Sequence, residues 1–267
     1  MRAKQEDGIG VSDMFEELDY CVTSIGSLSL RRRRAAPNSD EIFEIKLGEA
    51  FLMSSLFTVA EIALAQLGLA ETTEEALDVV VGGLGLGCTA QAALSDARVR
   101  SLLVVEALAP VIEWHERGLL PLGKPLTDEP RCRFLQGDFF ALVASHDGFD
   151  PRAPQRRFHA ILVDIDHSID DLLHPSHAAL YRADGLRRIA AHLFPGGVFA
   201  LWSNDPPDEA FCATLAEIFA SVRAEVVGFH DPLHPGREAE NTIYIAKSHN
   251  ADGIRSDASA SREVDRT

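Results

Sequence analysis

The sequence predicts an α/β protein with a doubly wound, mostly parallel sheet of seven strands and helices on both faces. Two observations lead to this prediction. From residue 78 onward, short runs of Val, Ile and Leu alternate with segments whose apolar residues recur at helical spacing. Continuously apolar strands are typical of parallel sheets that are covered on both faces. The first of these strands also leads directly into a glycine-rich turn, as happens where a strand, a turn and a helix face a ligand.

The order of the predicted elements indicates where a ligand would bind. The predicted helices contain CTAQAALSD, APVIEWHERGLL, GLRRIAAHLF and DEAFCATLAEIFASV. The predicted strands contain LDVVVGG, SLLVVEA, CRFLQGD, FHAILVDID, GGVFALWS, AEVVGFH and NTIYIAK. In open α/β sheets, ligands bind beyond the carboxyl ends of the strands, near the point where the strand order reverses. The candidate functional residues are therefore those that end the strands.

The residues before this pattern predict a separate β element. Residues 24–34 and 41–48 alternate apolar and polar side chains on either side of a turn-rich spacer, which is typical of a β-hairpin. We therefore expect a small N-terminal β-hairpin element at 13–50 and a Rossmann-like domain at 51–247, with a helix within FLMSSLFTVAEIALAQLGLA. The polar ends of the chain, residues 1–12 and 248–267, are expected to be disordered.

Composition and charge exclude several classes of partner. The formal net charge of −16 argues against binding to nucleic acid or to an anionic membrane surface. No apolar run is long enough to cross a bilayer, and the mixed charges of the first ten residues do not predict a signal peptide. Four widely spaced cysteines without a CxxC pair indicate reduced thiols, so we expect a cytoplasmic protein: Cys21, Cys88, Cys132 and Cys212.

Three consecutive strand ends carry the features of a nucleoside pocket. Glycine in the turn after the first strand lets the backbone approach a ligand closely, although such a motif does not separate a dinucleotide from an adenosyl group. Glu106 ends the second strand, where a carboxylate can accept both ribose hydroxyls. Asp138 ends the third strand, where a carboxylate can accept the exocyclic amine of adenine. The glycines of the turn are Gly82, Gly83, Gly85 and Gly87.

At the level of whole segments, the sequence resembles the spermidine synthase (polyamine aminopropyltransferase) family. The similar segments, in order, are DVVVGGLGLGCTAQAAL, VVEALAPVIEWHERGLLPL, DEPRCRFLQGDFF, FHAILVDIDHSIDDLL and LFPGGVFAL. The resemblance covers about residues 41–205 and implies the fold of class I S-adenosylmethionine methyltransferases. It implies a transferase that moves an aminopropyl group from decarboxylated S-adenosylmethionine to a small-molecule amine without a metal. We also expect a homodimer.

The resemblance implies a role for each candidate residue. The four glycines would pass under the sulfonium and ribose of the donor, Glu106 would hold the ribose diol and Asp138 would lie beside the adenine. Asp164, just after the fourth strand, would position and deprotonate the attacking amine, which cannot attack a sulfonium carbon until it loses a proton. Asp166 and His167 complete the predicted catalytic set, since His167 stands where the family has a second aspartate.

Two alternatives remain open from the sequence. The stretch Gly83-Leu84-Gly85-Leu86 lacks the aspartate that spermidine synthases usually carry there to recognise the decarboxylated donor. This difference favours a methyltransferase that uses intact S-adenosylmethionine. Met53, Ser54 and Ser55 likewise replace the side chains that would grip a diamine, and only Glu49 and Glu61 offer charge in that region. The second alternative is an adenosyl-binding protein without catalytic activity.

Other charged clusters have simpler explanations than a ligand site. The histidines and aspartates between residues 164 and 177 could ligate zinc or iron, but Pro175 interrupts any helix that would fix their geometry, so no metal site is predicted. The arginine run at 31–34 is expected to lie on a solvated strand, paired with the excess of acidic residues. The loop at 229–238 is read as a turn that could edge the acceptor pocket. The metal candidates comprise Asp164, Asp166, His167, His174 and His177.

Overall fold

The computed structural model describes residues 15–36, 39–234 and 236–251, which divide into two compact units at the bond between Thr58 and Val59. The disorder expected at residues 1–12 lies outside the described residues, as does that expected for most of 248–267. No helix in the described part of the chain is long and apolar enough to cross a membrane.

The N-terminal unit is a four-stranded antiparallel sheet in which each strand pairs with the next. Its strands are β1 (Phe15–Thr23), β2 (Gly26–Arg34), β3 (Glu41–Leu47) and β4 (Ala50–Ser54). The predicted hairpin corresponds to β2 and β3, so the N-terminal element is larger than predicted. β1 is mostly polar and exposed and gives little apolar signal. The apolar run of β4 was assigned to a helix, but it pairs with β3, and the helix begins only at Val59. The unit boundary therefore falls after Thr58 instead of after residue 50.

The arginine run lies on β2 and is neutralised by glutamates of the neighbouring strands, as predicted. Arg33 pairs with Glu44 of β3 at 2.8 Å between nitrogen and oxygen. Arg34 pairs with Glu41 of β3, also at 2.8 Å, and the two preceding arginines pair with glutamates of β1. These contacts give the run a local role in the sheet, where each exposed pair stabilises by about 0–1 kcal/mol.

The second unit alternates strands and helices as the sequence predicts. Its strands are β5 (Leu77–Gly82), β6 (Val99–Glu106), β7 (Cys132–Gln136), β8 (Phe158–Val163), β9 (Leu193–Ser203), β10 (Ser221–His230) and β11 (Glu238–Lys247). Its helices are α1 (Val59–Ala70), α2 (Cys88–Leu94), α3 (Ala109–Glu116), α4 (Gly123–Thr127), α5 (Phe139–Ala144), α6 (Ala183–Ala191) and α7 (Glu209–Ala216). A short 3-10 helix at Pro175–Ala179 was not predicted.

These seven strands form one sheet in the order β10-β11-β9-β8-β5-β6-β7. Strands β7, β6, β5, β8 and β9 are parallel, and β11 runs antiparallel to β9. The chain first builds the sheet outward from β5 through β6 to β7 and then returns to place β8 on the other side of β5. The strand order therefore reverses between β5 and β8, which is where a ligand is expected. The predicted fold class is confirmed.

Helices cover both faces of this sheet. On one face, α1 packs so closely that a Cβ added to Gly68 would lie 2.8 Å from Leu162 and 3.2 Å from Ala200. On the other face, aromatic residues such as Phe139, Phe158 and Phe199 form a buried cluster with α5, α6 and α7. β5 and β8 are buried between these layers, which explains their nearly continuous apolar sequences.

Candidate active site

The glycine turn after β5 is in backbone contact with the residue that follows β8. The Asp164 N–H donates to the Gly82 carbonyl oxygen at 2.9 Å. A Cβ added to Gly83 would lie only 2.1 Å from the Asp164 carbonyl oxygen, and the φ of Gly83 is +92°. A side chain at position 83 would be excluded both by this contact and by the backbone conformation. Glycine is therefore required here to bring the two strand ends together.

His115 binds the glycine turn at Gly85. Its side chain is fully buried, and Nε2 lies 2.8 Å from the carbonyl oxygen of Gly85. Because a carbonyl only accepts, Nε2 carries the hydrogen of this bond. Burial lowers the pKa of His115, which favours the neutral ring. The sequence reasoning did not single out this residue, since a histidine on an apolar helix face gives no specific signal.

Glu106 binds the glycine turn through both oxygens of its buried carboxylate. Oε2 accepts the N–H of Leu84 at 3.0 Å, and Oε1 accepts that of Leu108 at 2.8 Å. Burial raises the pKa of Glu106, and the surrounding backbone N–H groups oppose that rise. Backbone N–H groups of Gly85 and Ala107 also interact with this carboxylate, so Glu106 fixes the glycine turn against the end of β6.

Asp138 follows β7 and caps the first turn of α5. Its Oδ1 accepts the N–H of Phe140 at 2.9 Å and that of Ala141 at 3.2 Å. Such a cap stabilises a helix by about 1 kcal/mol. The side chain is exposed, and Oδ2 takes no part in these two bonds. Asp138 can therefore serve the helix and still accept a hydrogen bond from a ligand.

Asp164 projects its carboxylate towards the N-terminal turns of α1 and α2. The buried Thr89 hydroxyl donates to Asp164 Oδ2 at 2.7 Å and lies 3.4 Å from the Glu61 carbonyl oxygen. Burial raises the pKa of Asp164, while the bond from Thr89 opposes the rise. Asp164 therefore holds a proton at a higher pH than an ordinary aspartate.

Glu61, in the first turn of α1, is a second carboxylate of this site. Burial raises its pKa, and the charge of Asp164 raises it further. Burial also raises the pKa of the Cys88 thiol to about 12, and the charges of Glu61 and Asp164 both add to this shift. The charges of Glu61 and Asp164 therefore both act on Cys88, and Thr89 binds Asp164 directly. From the sequence alone, Glu61 is distinguished only by its charge, because an acid in the first turn of a helix is common.

Asp166 is enclosed by three hydrogen-bond donors. Its Oδ1 accepts from the Leu173 N–H at 2.9 Å and lies 2.7 Å from His177 Nδ1, and its Oδ2 accepts from the Tyr181 hydroxyl at 2.8 Å. The side chain is buried, and its carboxylate raises the pKa of Tyr181 beyond the effect of burial. These bonds anchor the loop after β8, and the catalytic role predicted for Asp166 stays a prediction.

The histidines of the metal candidate are engaged in other contacts. His174 caps the 3-10 helix by accepting the Ser176 N–H at 3.2 Å. The His177 ring stacks on Phe140 with 3.7 Å between the ring centroids, in addition to its bond with Asp166. His167 is half-buried, and its carbonyl oxygen accepts the Asn204 N–H at 2.7 Å. Among the residues that the structure describes, no group of three or more His, Cys, Asp or Glu side chains has the arrangement of a metal site.

Comparisons with known proteins agree with this architecture. No protein-family model matches the chain. Over 165 residues, or 58% of this chain, the sequence is 29% identical to polyamine aminopropyltransferase 2 of Pseudomonas aeruginosa. This match spans 44% of that protein's length.

Two solved structures of spermidine synthases superpose on most of the chain. The enzyme from Thermotoga maritima gives a TM-score of 0.64 at 17% identity and covers 86% of this chain and 72% of its own. The chain has a spermidine synthase-like fold. A spermidine synthase in complex with the transition state analogue AdoDATO gives a TM-score of 0.66 at 16% identity, covering 86% of this chain and 73% of its own. The resemblance predicted from the sequence segments is confirmed.

Within this spermidine synthase-like fold, the predicted site residues form two groups. The glycine turn, Glu106 and Asp164 are linked by direct hydrogen bonds around the end of β5, and Asp138 ends β7 on the same edge of the sheet. Asp166 and His167 belong to the loop beyond Asp164, where the carboxylate of Asp166 binds other parts of that loop. The first group therefore lies together at the carboxyl edge of the sheet, beside the reversal of the strand order.

Proposed function

We propose that this chain is an aminopropyltransferase, which moves an aminopropyl group from decarboxylated S-adenosylmethionine to a small-molecule amine with Asp164 as the base. The observation that carries the proposal is the position of Asp164. Asp164 follows β8 directly at the reversal of the strand order and is bonded through its backbone to the glycine turn. Its carboxylate accepts from Thr89, whose hydroxyl also lies near the backbone of Glu61, and the charge of Asp164 raises the pKa of Glu61. A site of this charge suits a cationic amine. The sequence identity with a polyamine aminopropyltransferase supports the same reaction.

The donor would lie along the ends of β5, β6 and β7. Gly83 and its neighbours Gly82, Gly85 and Gly87 leave the backbone bare beneath the sulfonium and ribose. The close contact between Gly83 and the Asp164 carbonyl supports this proposal because it places the proposed base beside the turn that would carry the donor. Glu106 would accept the ribose hydroxyls beside the backbone N–H groups that fix it. Asp138 would accept the adenine amine through Oδ2.

The proposed step is a direct displacement at carbon. The acceptor enters as an ammonium ion and is held by the carboxylates of the site. Asp164 takes one proton, and the amine nitrogen then attacks the propyl carbon attached to sulfur. The new C–N bond forms as the C–S bond breaks, and the electron pair of that bond returns to sulfur to give methylthioadenosine. Because its pKa is raised, Asp164 is a stronger proton acceptor than an ordinary aspartate once it is ionised. Asp166 and His167 would hold the loop that carries it.

The product distinguishes this proposal from the alternatives. The purified chain is incubated with decarboxylated S-adenosylmethionine and a panel of monoamines, diamines and polyamines, and methylthioadenosine is quantified by liquid chromatography. We expect methylthioadenosine to form in proportion to an alkylated amine. If the same panel with intact S-adenosylmethionine gives S-adenosylhomocysteine instead, the methyltransferase alternative is correct. If neither product forms with any amine, the proposal is wrong. The homodimer and the cytoplasmic location expected from the sequence stay predictions.

A further inference from the structure

The inward-facing carboxylates of the second unit differ in how they are neutralised. Asp78 pairs with Arg100 and Arg156, each at 2.7–2.8 Å. Asp150 pairs with Arg133 at 2.6 Å and with Arg156 at 3.0 Å. The Glu106 carboxylate is surrounded by backbone N–H groups. Removing a carboxylate from water is costly unless such partners compensate it.

Glu61 and Asp164 lack this compensation. Among the described residues of the second unit, the structure shows no ion pair from Lys, Arg or His to either carboxylate. The one side-chain bond to Asp164 comes from the neutral Thr89, whose hydroxyl also lies 3.4 Å from the carbonyl oxygen of Glu61. The charge of Asp164 acts on Glu61 in this partly buried region, and no cation of the described second unit is paired with either side chain. Such a pair is unfavourable in the free protein and is relieved by a ligand that carries positive charge.

The acidic pair lies where the tail of a donor would extend. Asp164 touches the glycine turn through its backbone, and Thr89 connects it to the first turn of α1. A nucleoside that rests its ribose at Glu106 and its sulfonium over the turn would direct its sulfonium substituents to this end of the site. The tail of decarboxylated S-adenosylmethionine ends in an ammonium group. The tail of the intact compound also carries a carboxylate at the same end.

We propose that Glu61 is a specificity-determining residue that acts with Asp164 to bind the ammonium group of the donor tail and to repel the carboxylate of intact S-adenosylmethionine. This inference rests on the proposed function and deepens it. An ammonium group favours the ionised form of these two carboxyl groups, whereas the carboxylate of the intact donor would add another like charge beside them. In this proposal the residue that selects the donor lies on α1. The glycine turn carries no acidic side chain for this purpose, because positions 84–87 are leucines and glycines.

Calorimetry with three ligands tests this inference. Wild type, Glu61→Gln and the exposed control Glu113→Gln are titrated with decarboxylated S-adenosylmethionine, intact S-adenosylmethionine and methylthioadenosine, which lacks the charged tail. We expect wild type and Glu113→Gln to bind the decarboxylated donor more tightly than the intact one. In Glu61→Gln the ratio of these affinities should fall about tenfold to a hundredfold, as expected for the loss of one charge-assisted contact. Methylthioadenosine should bind all three proteins equally.

The outcomes separate this inference from the proposed function. If wild type binds none of the three ligands, the proposed function fails and the inference fails with it. If wild type binds them and Glu61→Gln keeps the wild-type ratio, the inference is overturned while the proposed function stands. Should Glu61→Gln lose methylthioadenosine binding through misfolding, Glu61→Asp takes its place. Glu61→Asp keeps the charge, so it should still bind the decarboxylated donor more tightly than the intact one. If Glu61→Asp has also lost this preference, the inference is overturned.

Discussion

The two ends of the seven-stranded sheet treat carboxylates in opposite ways. At the amino end, Asp78 at the start of β5 and Asp150 before β8 are enclosed by three arginines from β6, β7 and the loop before β8. At the carboxyl end, Asp164 beside the glycine turn accepts from the neutral hydroxyl of Thr89, and Glu61 lies in the first turn of the neighbouring α1. The same residue types in one sheet thus occupy two different electrostatic environments.

The pKa shifts report this difference directly. At the amino end, hydrogen bonds and charges from arginine outweigh desolvation and lower the pKa of Asp78 and Asp150. At the carboxyl end, desolvation prevails and raises the pKa of Glu61 and Asp164. The amino-end carboxylates therefore contribute to the stability of the fold, whereas ionisation of the carboxyl-end pair reduces stability. Carboxyl groups with raised pKa values in a cleft are typical of functional sites.

The largest expected effect is on activity at the carboxyl end. Asp164→Asn removes the proposed base but keeps the size of the side chain and the ability to accept from Thr89. We expect the rate of methylthioadenosine formation to fall by about a hundredfold to ten-thousandfold. The thermal midpoint should stay equal to that of wild type or rise, because an uncompensated charge is removed. Steady-state kinetics and thermal unfolding measure the two effects.

Asp147→Asn is the matched control, since Asp147 is exposed and its nearest charged partner is the equally exposed His146. It should leave both the rate and the thermal midpoint at wild-type values. A full rate for Asp164→Asn would assign proton transfer to another group. A large loss of stability would place Asp164 with the structural carboxylates of the amino end.

Asp78→Asn should have the opposite pattern. It removes the charge that faces Arg100 and Arg156 while their guanidinium groups remain in place. We expect the free energy of unfolding to fall by about 1–3 kcal/mol, the usual cost of leaving such partners unsatisfied. The turnover number of the folded enzyme should not change, because the substitution lies at the other end of the sheet. Urea denaturation and turnover measured on the same preparation test both statements. Unchanged stability would contradict the role assigned to this network.

The sequence predicted the second unit more completely than the first. Continuous Val and Ile runs identify β5, β6 and β8 because strands buried on both faces can hardly contain anything else. β1 and β4 lack such a signal. The polar sequence of β1 reflects its exposure, and the apolar run AFLMS of β4 precedes a true helix and shares its composition. Pairing with β3 decides the structure of β4, and this long-range contact leaves no local periodicity.

The site shows the same limit. Glu106, Asp138 and Asp164 could be predicted because each ends a recognisable strand. Glu61 could not, since its position depends on how α1 packs against α2, and a glutamate in the first turn of a helix is unremarkable by sequence. Asp166 was grouped with Asp164 for proximity in sequence, but its side chain meets Tyr181 and His177, which only the folded loop brings near.

The smallest expected effect is the pH dependence of stability that the two ends produce. A carboxyl group whose pKa is raised by folding stabilises the folded state fully below its unfolded pKa, and that contribution is lost as the pH rises through the folded value. Glu61 and Asp164 behave in this way, so the charged pair costs free energy above their raised pKa values. Asp78 has the opposite sign, because its lowered pKa gives a contribution present above the ordinary value of about 4 and lost only in acid.

The double variant Glu61→Gln/Asp164→Asn should therefore gain stability relative to wild type as the pH rises from 5 to 8, by about 1.4 kcal/mol for each unit of the abolished upward shifts that lies within this range. The difference between Asp78→Asn and wild type should stay constant over the same range, since Asp78 is fully ionised throughout it. Urea denaturation of the three proteins at pH 5 and pH 8 measures these differences. If the double variant and wild type differ by the same amount at both pH values, the carboxyl end carries no uncompensated charge, and the contrast between the two ends of the sheet does not hold.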